Sequence, residues 1–338
     1  MRRRTDELEE PGGLSYAAMN RIVEDRMSSD KDYREEVESS GRPLLSQGRR
    51  MTSEELFAKL SSFGLDLNEK TVKKLAMRFL SAQEISEFLL ERSRSLRFHD
   101  RFDEDWVWIC AAVVWERCLP DRPSMEMIDD GMQDGYSKQD SEGDVAACEA
   151  WLRVWRDITR IMDERGMKSL AQFDAAFQGT QSASNWWWDL DTALINAGRK
   201  DGRYHRRRIA FCQDLADRFS IVDPELAVRA KDAIAEAFLE LGEIEESDAR
   251  YRKLVEENPE YGWGWIHWSD CYNPDNILPK DHSTPEDLAK AERILKRALE
   301  VEGVSDRQDI HERLAVIYEA TGRKADARKI RESGRERG

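Results

Sequence analysis

The run Tyr261-Gly-Trp-Gly-Trp-Ile-His-Trp-Ser-Asp-Cys-Tyr272 constrains this chain more than any other stretch. Its Trp268, Ser269 and Tyr272 follow Ile234, Ala235 and Phe238 at a spacing of 34 residues, with a large, a small and a large side chain each time. A period of that length is one helical hairpin, and such a unit cannot bury its apolar face alone. Neighbouring hairpins must stack on it, which builds a scaffold with a groove and calls for no reactive centre.

The frame can be followed along the chain. One copy, beginning near Val228, reads Ile234, Ala235, Phe238, Gly242, Ser247, Tyr251 and Pro259. The next has Trp265, Trp268, Ser269 and Tyr272. Its second helix is delayed by a Pro- and Asp-rich insertion, Asn273 to Pro285, and resumes with Ala291, Leu295 and Ala298. A further copy has Leu314, Ala315, Tyr318, Gly322 and Ala327, and a degenerate earlier one has Trp187, Leu190, Leu194 and Gly198. Small residues (Ala235, Ser269, Ala315) allow close helix approach, large ones fill the gap to the next hairpin, and Gly242 and Gly322 turn the chain.

Over residues 184–332 the chain therefore resembles tetratricopeptide-repeat proteins, whose signature is Trp-x2-Leu-Gly-x2-Tyr, then Ala-x3-Phe, then Pro. Pro259 with the Tyr261–Tyr272 run also looks like a group of uncharacterised bacterial repeat proteins, some ending in a Cys-rich SEC-C zinc motif. Lys329 to Gly338 contains no Cys or His, so that zinc site is not carried over. The resemblance implies an α-α superhelix that binds a protein or peptide segment in a concave groove, without catalysis or cofactor. At groove-facing offsets stand Asn185, Trp188, Arg229, Asp232, Glu236, Trp263, Ile266 and Asp270, whereas Trp187, Trp265 and Trp268 take packing positions. Repeats that clamp a terminal carboxylate need cations there. Here Asp232, Glu236 and Asp270 reverse the sign, with Arg229 the exception. That pattern favours a cationic or aromatic segment, with Trp263 able to stack on an Arg or Lys.

The rest of the chain is read from pattern and composition. Residues 1–50, rich in charge, Ser and Gly, are expected to be a mobile extension, although Leu14, Ala17, Ala18, Ile22 and Val23 could form a short helix. Thr52-Ser53-Glu54-Glu55 has capping-box form, so the compact fold is expected to begin at Met51, itself a candidate natural start. Residues 51–183 read as an all-α domain. Its helices are marked by the Leu56, Phe57, Leu60, Phe63 stripe ended by Gly64, a second capping box at Ser81–Glu84, a helix over Asp103–Cys118, and a long one over Asp144–Glu164 ended by Gly166. Trp108, Ala111, Ala112 and Trp115 share one face of the third. Residues 333–338 form a short tail.

A net charge of −15 disfavours nucleic-acid and anionic-membrane binding. No apolar run reaches the roughly 20 residues of a membrane span, and Met-Arg-Arg-Arg is not followed by the apolar segment of a secretory signal. Five unpaired-looking cysteines with no Cys-x-x-Cys fit a reducing, cytoplasmic setting. Arg206-Arg207-Arg208 spreads around a helix and reads as a solvated outer face. His267 and Cys271, at i and i+4, have a spacing able to bind zinc, but two ligands are too few without Asp270 or another partner, so packing is the reading and no metal is expected. An enzyme is the alternative, with acids at Asp100, Asp103, Glu104, Asp105, Glu116, Asp129 and Asp130 marking a hydrolytic or nucleotide-handling site in 99–136. No Glu-x-x-His, His-x3-His or phosphate loop accompanies them. Self-assembly through the aromatic groove is a third reading.

Overall fold

The computed structural model describes residues 13–93, 96–272 and 284–335. Among them the chain is all-α, with 18 helices and no strand. It divides into two compact units, Met1–Leu190 and Asp191–Gly338, past the expected 183/184 boundary. Most of the insertion at 273–285 lies outside the described residues.

The first unit holds α1 (Tyr16–Ser29), α2 (Lys31–Ser40), α3 (Leu45–Arg50), α4 (Ser53–Ser62), α5 (Glu69–Ala76), α6 (Ala82–Arg92), α7 (Asp103–Cys118), α8 (Met125–Glu142), α9 (Asp144–Arg165) and α10 (Leu170–Phe177). Local chemistry sets many of the ends. Thr52 with Glu55 and Ser81 with Glu84 form reciprocal capping boxes at α4 and α6. Gly166, left-handed at φ 66°, ends α9. The helix α7 is the hub: α3, α4, α5 and α6 all pack on it. Every residue from Val107 to Trp115 is at most 2 % exposed, so it has no single buried face but is enclosed all round.

The segment expected to be a mobile extension carries three helices, α1 to α3, between Tyr16 and Arg50, and the compact fold begins well before Met51. Ala17, Ala18, Val23, Met27, Leu44 and Leu45 are buried. Gly48 sits so close to α7 that a Cβ there would lie 2.3 Å from the Ile109 Cγ2 methyl. Arginines of this segment are partnered within the fold. Arg21 pairs with Asp129 and Asp130, Arg49 pairs with Glu116 and Asp130, and Arg117 donates to the Arg49 and Met51 carbonyls at 3.0 and 2.7 Å.

The chain continues through α11 (Ala183–Gly198), within which the division into units falls. The second unit adds α12 (Arg203–Phe219), α13 (Pro224–Glu240), α14 (Ile244–Glu257), α15 (Gly262–Asp270), α16 (Pro285–Glu300), α17 (Arg307–Ala320) and α18 (Lys324–Arg335). Each helix from α12 to α18 packs on the next, and α15 also touches α13 and α17. Ala235, Ser269 and Ala315 are fully buried. The turns after α13 and α17 are built alike. Glu243 N–H donates to the Phe238 carbonyl and Gly242 N–H to that of Leu239, just as Arg323 N–H donates to Tyr318 and Gly322 N–H to Glu319. Gly242 (φ 75°) and Gly322 (φ 78°) take the left-handed conformation that this C-cap needs.

Candidate functional site

Three aspartates and an arginine organise the interior of the second unit. Asp232 on α13 is 7 % exposed. It accepts a 2.8 Å hydrogen bond from the Tyr261 hydroxyl and lies 2.9 Å from His267 Nδ1. Asp248 on α14 accepts from Trp268 Nε1 at 2.8 Å and from the Tyr272 hydroxyl, with Lys290 Nζ at 3.1 Å. Burial works against its charge, but Tyr272, Trp268 and Lys290 outweigh it and hold its pKa at about 2. Asp270, 3 % exposed, meets Arg313 at 3.1 Å through Oδ2, while its buried Oδ1 accepts no hydrogen bond among the described residues. Burial raises its pKa to about 6 despite Arg313 and His267.

Arg208 is 2 % exposed and grips Asp191 in a fork, with hydrogen bonds of 2.7 and 2.9 Å. Its Nη1 is also 2.8 Å from Glu236 Oε2, as an ion pair at an angle that makes no hydrogen bond. Burial would lower its pKa, but Asp191 and Glu236 hold it well above the usual guanidinium value. His267 sits within reach of three carboxylates. Burial alone would lower its pKa, yet Asp232 first, and Glu236 and Asp270 after it, raise it.

These placements revise the expected groove. Asp232, Glu236 and Asp270 do come together, around His267, but each carboxylate has an internal partner, so they form neither a solvated acidic face nor a bare binding wall. Ile266 is 1 % exposed and belongs to the core, because α13, α14, α16 and α17 all pack on α15. Asn185 and Trp188 lie in the first unit; both are exposed, and the Trp188 ring stacks on Trp187 at 3.9 Å. Arg229 is exposed, paired with Glu225 at 2.7 Å, and Trp263 is 38 % exposed. The Arg206–Arg208 cluster is not one solvated face: Arg206 pairs with Glu243, Arg207 lies over Tyr204, and Arg208 is interior. Cys271 is buried beside Ser247 Oγ at 3.5 Å, and no three His, Cys, Asp or Glu side chains converge as a metal site among the described residues.

Arg229 and Trp263 line the same cleft, about 480 Å³ in volume, with Pro224, Glu225, Val228, Asn258, Tyr261, Ser305 and Asp306. Its walls are the first turns of α13 and α15 and the loop before α17. The geometry depends on Gly262, where any Cβ would come within 2.1 Å of the Ser305 carbonyl oxygen. Ser305 Oγ in turn accepts from Gly262 N–H at 2.9 Å, and Ser305 N–H donates to the Glu260 carbonyl at 2.8 Å. Asp306 is left-handed at φ 51°, one of two such non-glycine residues among those described. It stands at the N-cap of α17 but makes no capping bond, accepting from the Ser305 hydroxyl instead. Ser305 and Asp306 carry no repeat signal and reach the cleft through a turn, so no periodicity marks them.

Among the acids of 99–136, Asp103, Glu116, Asp129 and Asp130 have internal partners. Asp103 accepts from the His99 and Asp100 N–H groups at 2.7 and 3.0 Å at the start of α7, and its pKa is lowered by these bonds against the burial that would raise it. Asp129 accepts from Thr180 N–H at 2.7 Å and pairs with Arg21, and Asp130 and Glu116 pair with Arg49. No helix among the described residues is long and apolar enough to cross a membrane. Compared with protein-family models and with curated proteins, the chain matches none.

Proposed function

We propose that this chain is a non-catalytic scaffold, cytoplasmic, whose tetratricopeptide-like repeats over 184–332 hold a protein or peptide segment, cationic or aromatic in character. The observation that carries the reading is the 38 %-exposed Trp263 on the wall of a 480 Å³ cleft, within a run of paired helices. That volume lies in the range of about 300–1,000 Å³ typical of ligand sites, and Trp is among the side chains that most often anchor a bound segment. The internal pairing of Asp103, Glu116, Asp129 and Asp130 takes support from the hydrolytic alternative.

Selection of a random peptide display library on the full chain tests the reading. Trp263→Ala should lose at least tenfold in affinity for the selected peptides while keeping the unfolding midpoint of the parent. Recovery of no sequence above background would sink the scaffold reading.

A further inference from the structure

Resting on that scaffold reading, we propose that the occupant of the Trp263 cleft is the guanidinium of an arginine side chain on a partner peptide, stacked on the indole and paired with Asp306. Two observations are independent of each other. The first concerns the aromatic residues of the second unit. Trp265 has Arg297 over its ring at 5.7 Å, Tyr272 has Lys290 at 3.9 Å, and Tyr318 has Arg323 at 4.4 Å. Trp263 has no Lys or Arg over its ring among the described residues; its ring neighbour is His267, at 5.3 Å, and the indole remains partly open to the cleft.

The second concerns charge. Of the ionised groups lining the cleft, Glu225 and Arg229 satisfy each other at 2.7 Å. Asp306 has a hydroxyl donor, Ser305, and no cation within ion-pair distance among the described residues. One aromatic surface and one carboxylate thus line a single cavity, neither with a Lys or Arg partner among the described residues. A guanidinium meets both demands at once. Its flat face suits the indole, and its edge presents two parallel N–H donors to a carboxylate. An ammonium is a compact, strongly hydrated charge that stacks less well. An acidic or terminal-carboxylate segment would meet Asp306 as a like charge, with Glu225 and Arg229 cancelling each other.

The test uses the full chain and a capped pentapeptide, Ala-Ala-Arg-Ala-Ala, with the central residue replaced in turn by Lys, Gln and Glu. Binding is read by NMR chemical-shift titration. Asp306→Asn removes the charge while asparagine still tolerates the left-handed backbone, and Trp263→Leu removes the indole. The arginine peptide should bind at least fivefold more tightly than the lysine one and tenfold more tightly than the glutamine one, with no binding of the glutamate peptide. Each substitution should cost the arginine peptide at least fivefold. Equal binding of the arginine and glutamine peptides, no binding of any, or indifference to Asp306→Asn overturns the proposal. Library peptides that bind the full chain yet ignore Asp306→Asn overturn it while leaving the scaffold reading in place; a library that yields no binder removes both.

Discussion

The helix α7 of the first unit and the helix α15 of the second are both enclosed by their neighbours, but by different chemistry. The enclosed part of α7 runs from Val107 to Trp115, all apolar side chains. Around α15 the interior carries Asp232, Asp248, Asp270, Ser269 and Arg208, each buried. The enclosed part of α7 is held by volume and shape. The interior around α15 is held in part by charges taken out of water, which contribute only while their partners stay in place.

The largest test removes a wall of the apolar hub. A chain beginning at Met51 lacks Ala17 and Leu45, both in the cluster around α7, together with the close contact at Gly48. At roughly 1.5–3 kcal/mol per buried large side chain, and with Arg21 and Arg49 gone from Asp129, Asp130 and Glu116, the loss should be on the order of 5 kcal/mol. Urea unfolding of the shortened chain measures it; an unchanged midpoint would return 13–50 to the status of an extension. Next comes the polar interior. Arg208→Ala leaves Asp191 and Glu236 without their cation and should cost about 3–5 kcal/mol, with part recovered when Asp191→Ala is added. Additive effects of the two substitutions would break the claim that they act as one unit.

The pH dependence separates the regions more finely. The Asp270 carboxyl is raised to about 6 in the fold, so its contribution is fully present below its unfolded value of 3.8 and is lost as pH rises through about 6. Asp248, held at about 2, runs the other way: its contribution is present above 3.8 and is lost as pH falls toward about 2. Shifts of this size correspond to roughly 2–3 kcal/mol each. Asp270→Asn should therefore flatten the unfolding free energy between pH 4 and 7.5, and a profile parallel to that of the parent would contradict the assignment. The smallest expected effect belongs to the apolar hub. Gly48→Ala drives a Cβ against Ile109 and should cost about 1–3 kcal/mol, equally at pH 4.5 and 7.5.

Helices whose ends are chemically marked were legible from their residues. Asp103–Cys118 is reproduced as read, and the long helix ends at Gly166 as its glycine requires. The helix α8 was not separately legible, because Gly131, Gly135, Asp129 and Asp130 interrupt its apolar stripe. Those residues have tertiary reasons: at Gly135 a Cβ would collide with the Trp151 ring, and Asp129 accepts from Thr180. In the candidate site, spacing located Trp263 and Arg229. It could not tell that Ile266 is core, or that Asp270 meets Arg313 rather than solvent, since both facts depend on what α17 brings.

Residue pattern alone determined the all-α class, many of the helix ends and the recurring large–small–large frame, because caps and 3.6-residue periodicity act within a few residues of one another. Tertiary structure decided what the charges do. Whether a carboxylate is solvated, paired or left facing a cleft depends on partners distant in sequence: Asp191 for Arg208, Tyr261 for Asp232, and for Asp306 the absence of any cation among the described residues. Within the Tyr261–Tyr272 run, packing absorbs Trp265, Ile266 and Trp268 and leaves Trp263 at the cleft, because only its indole lies where Gly262 lets the Ser305–Asp306 turn come close.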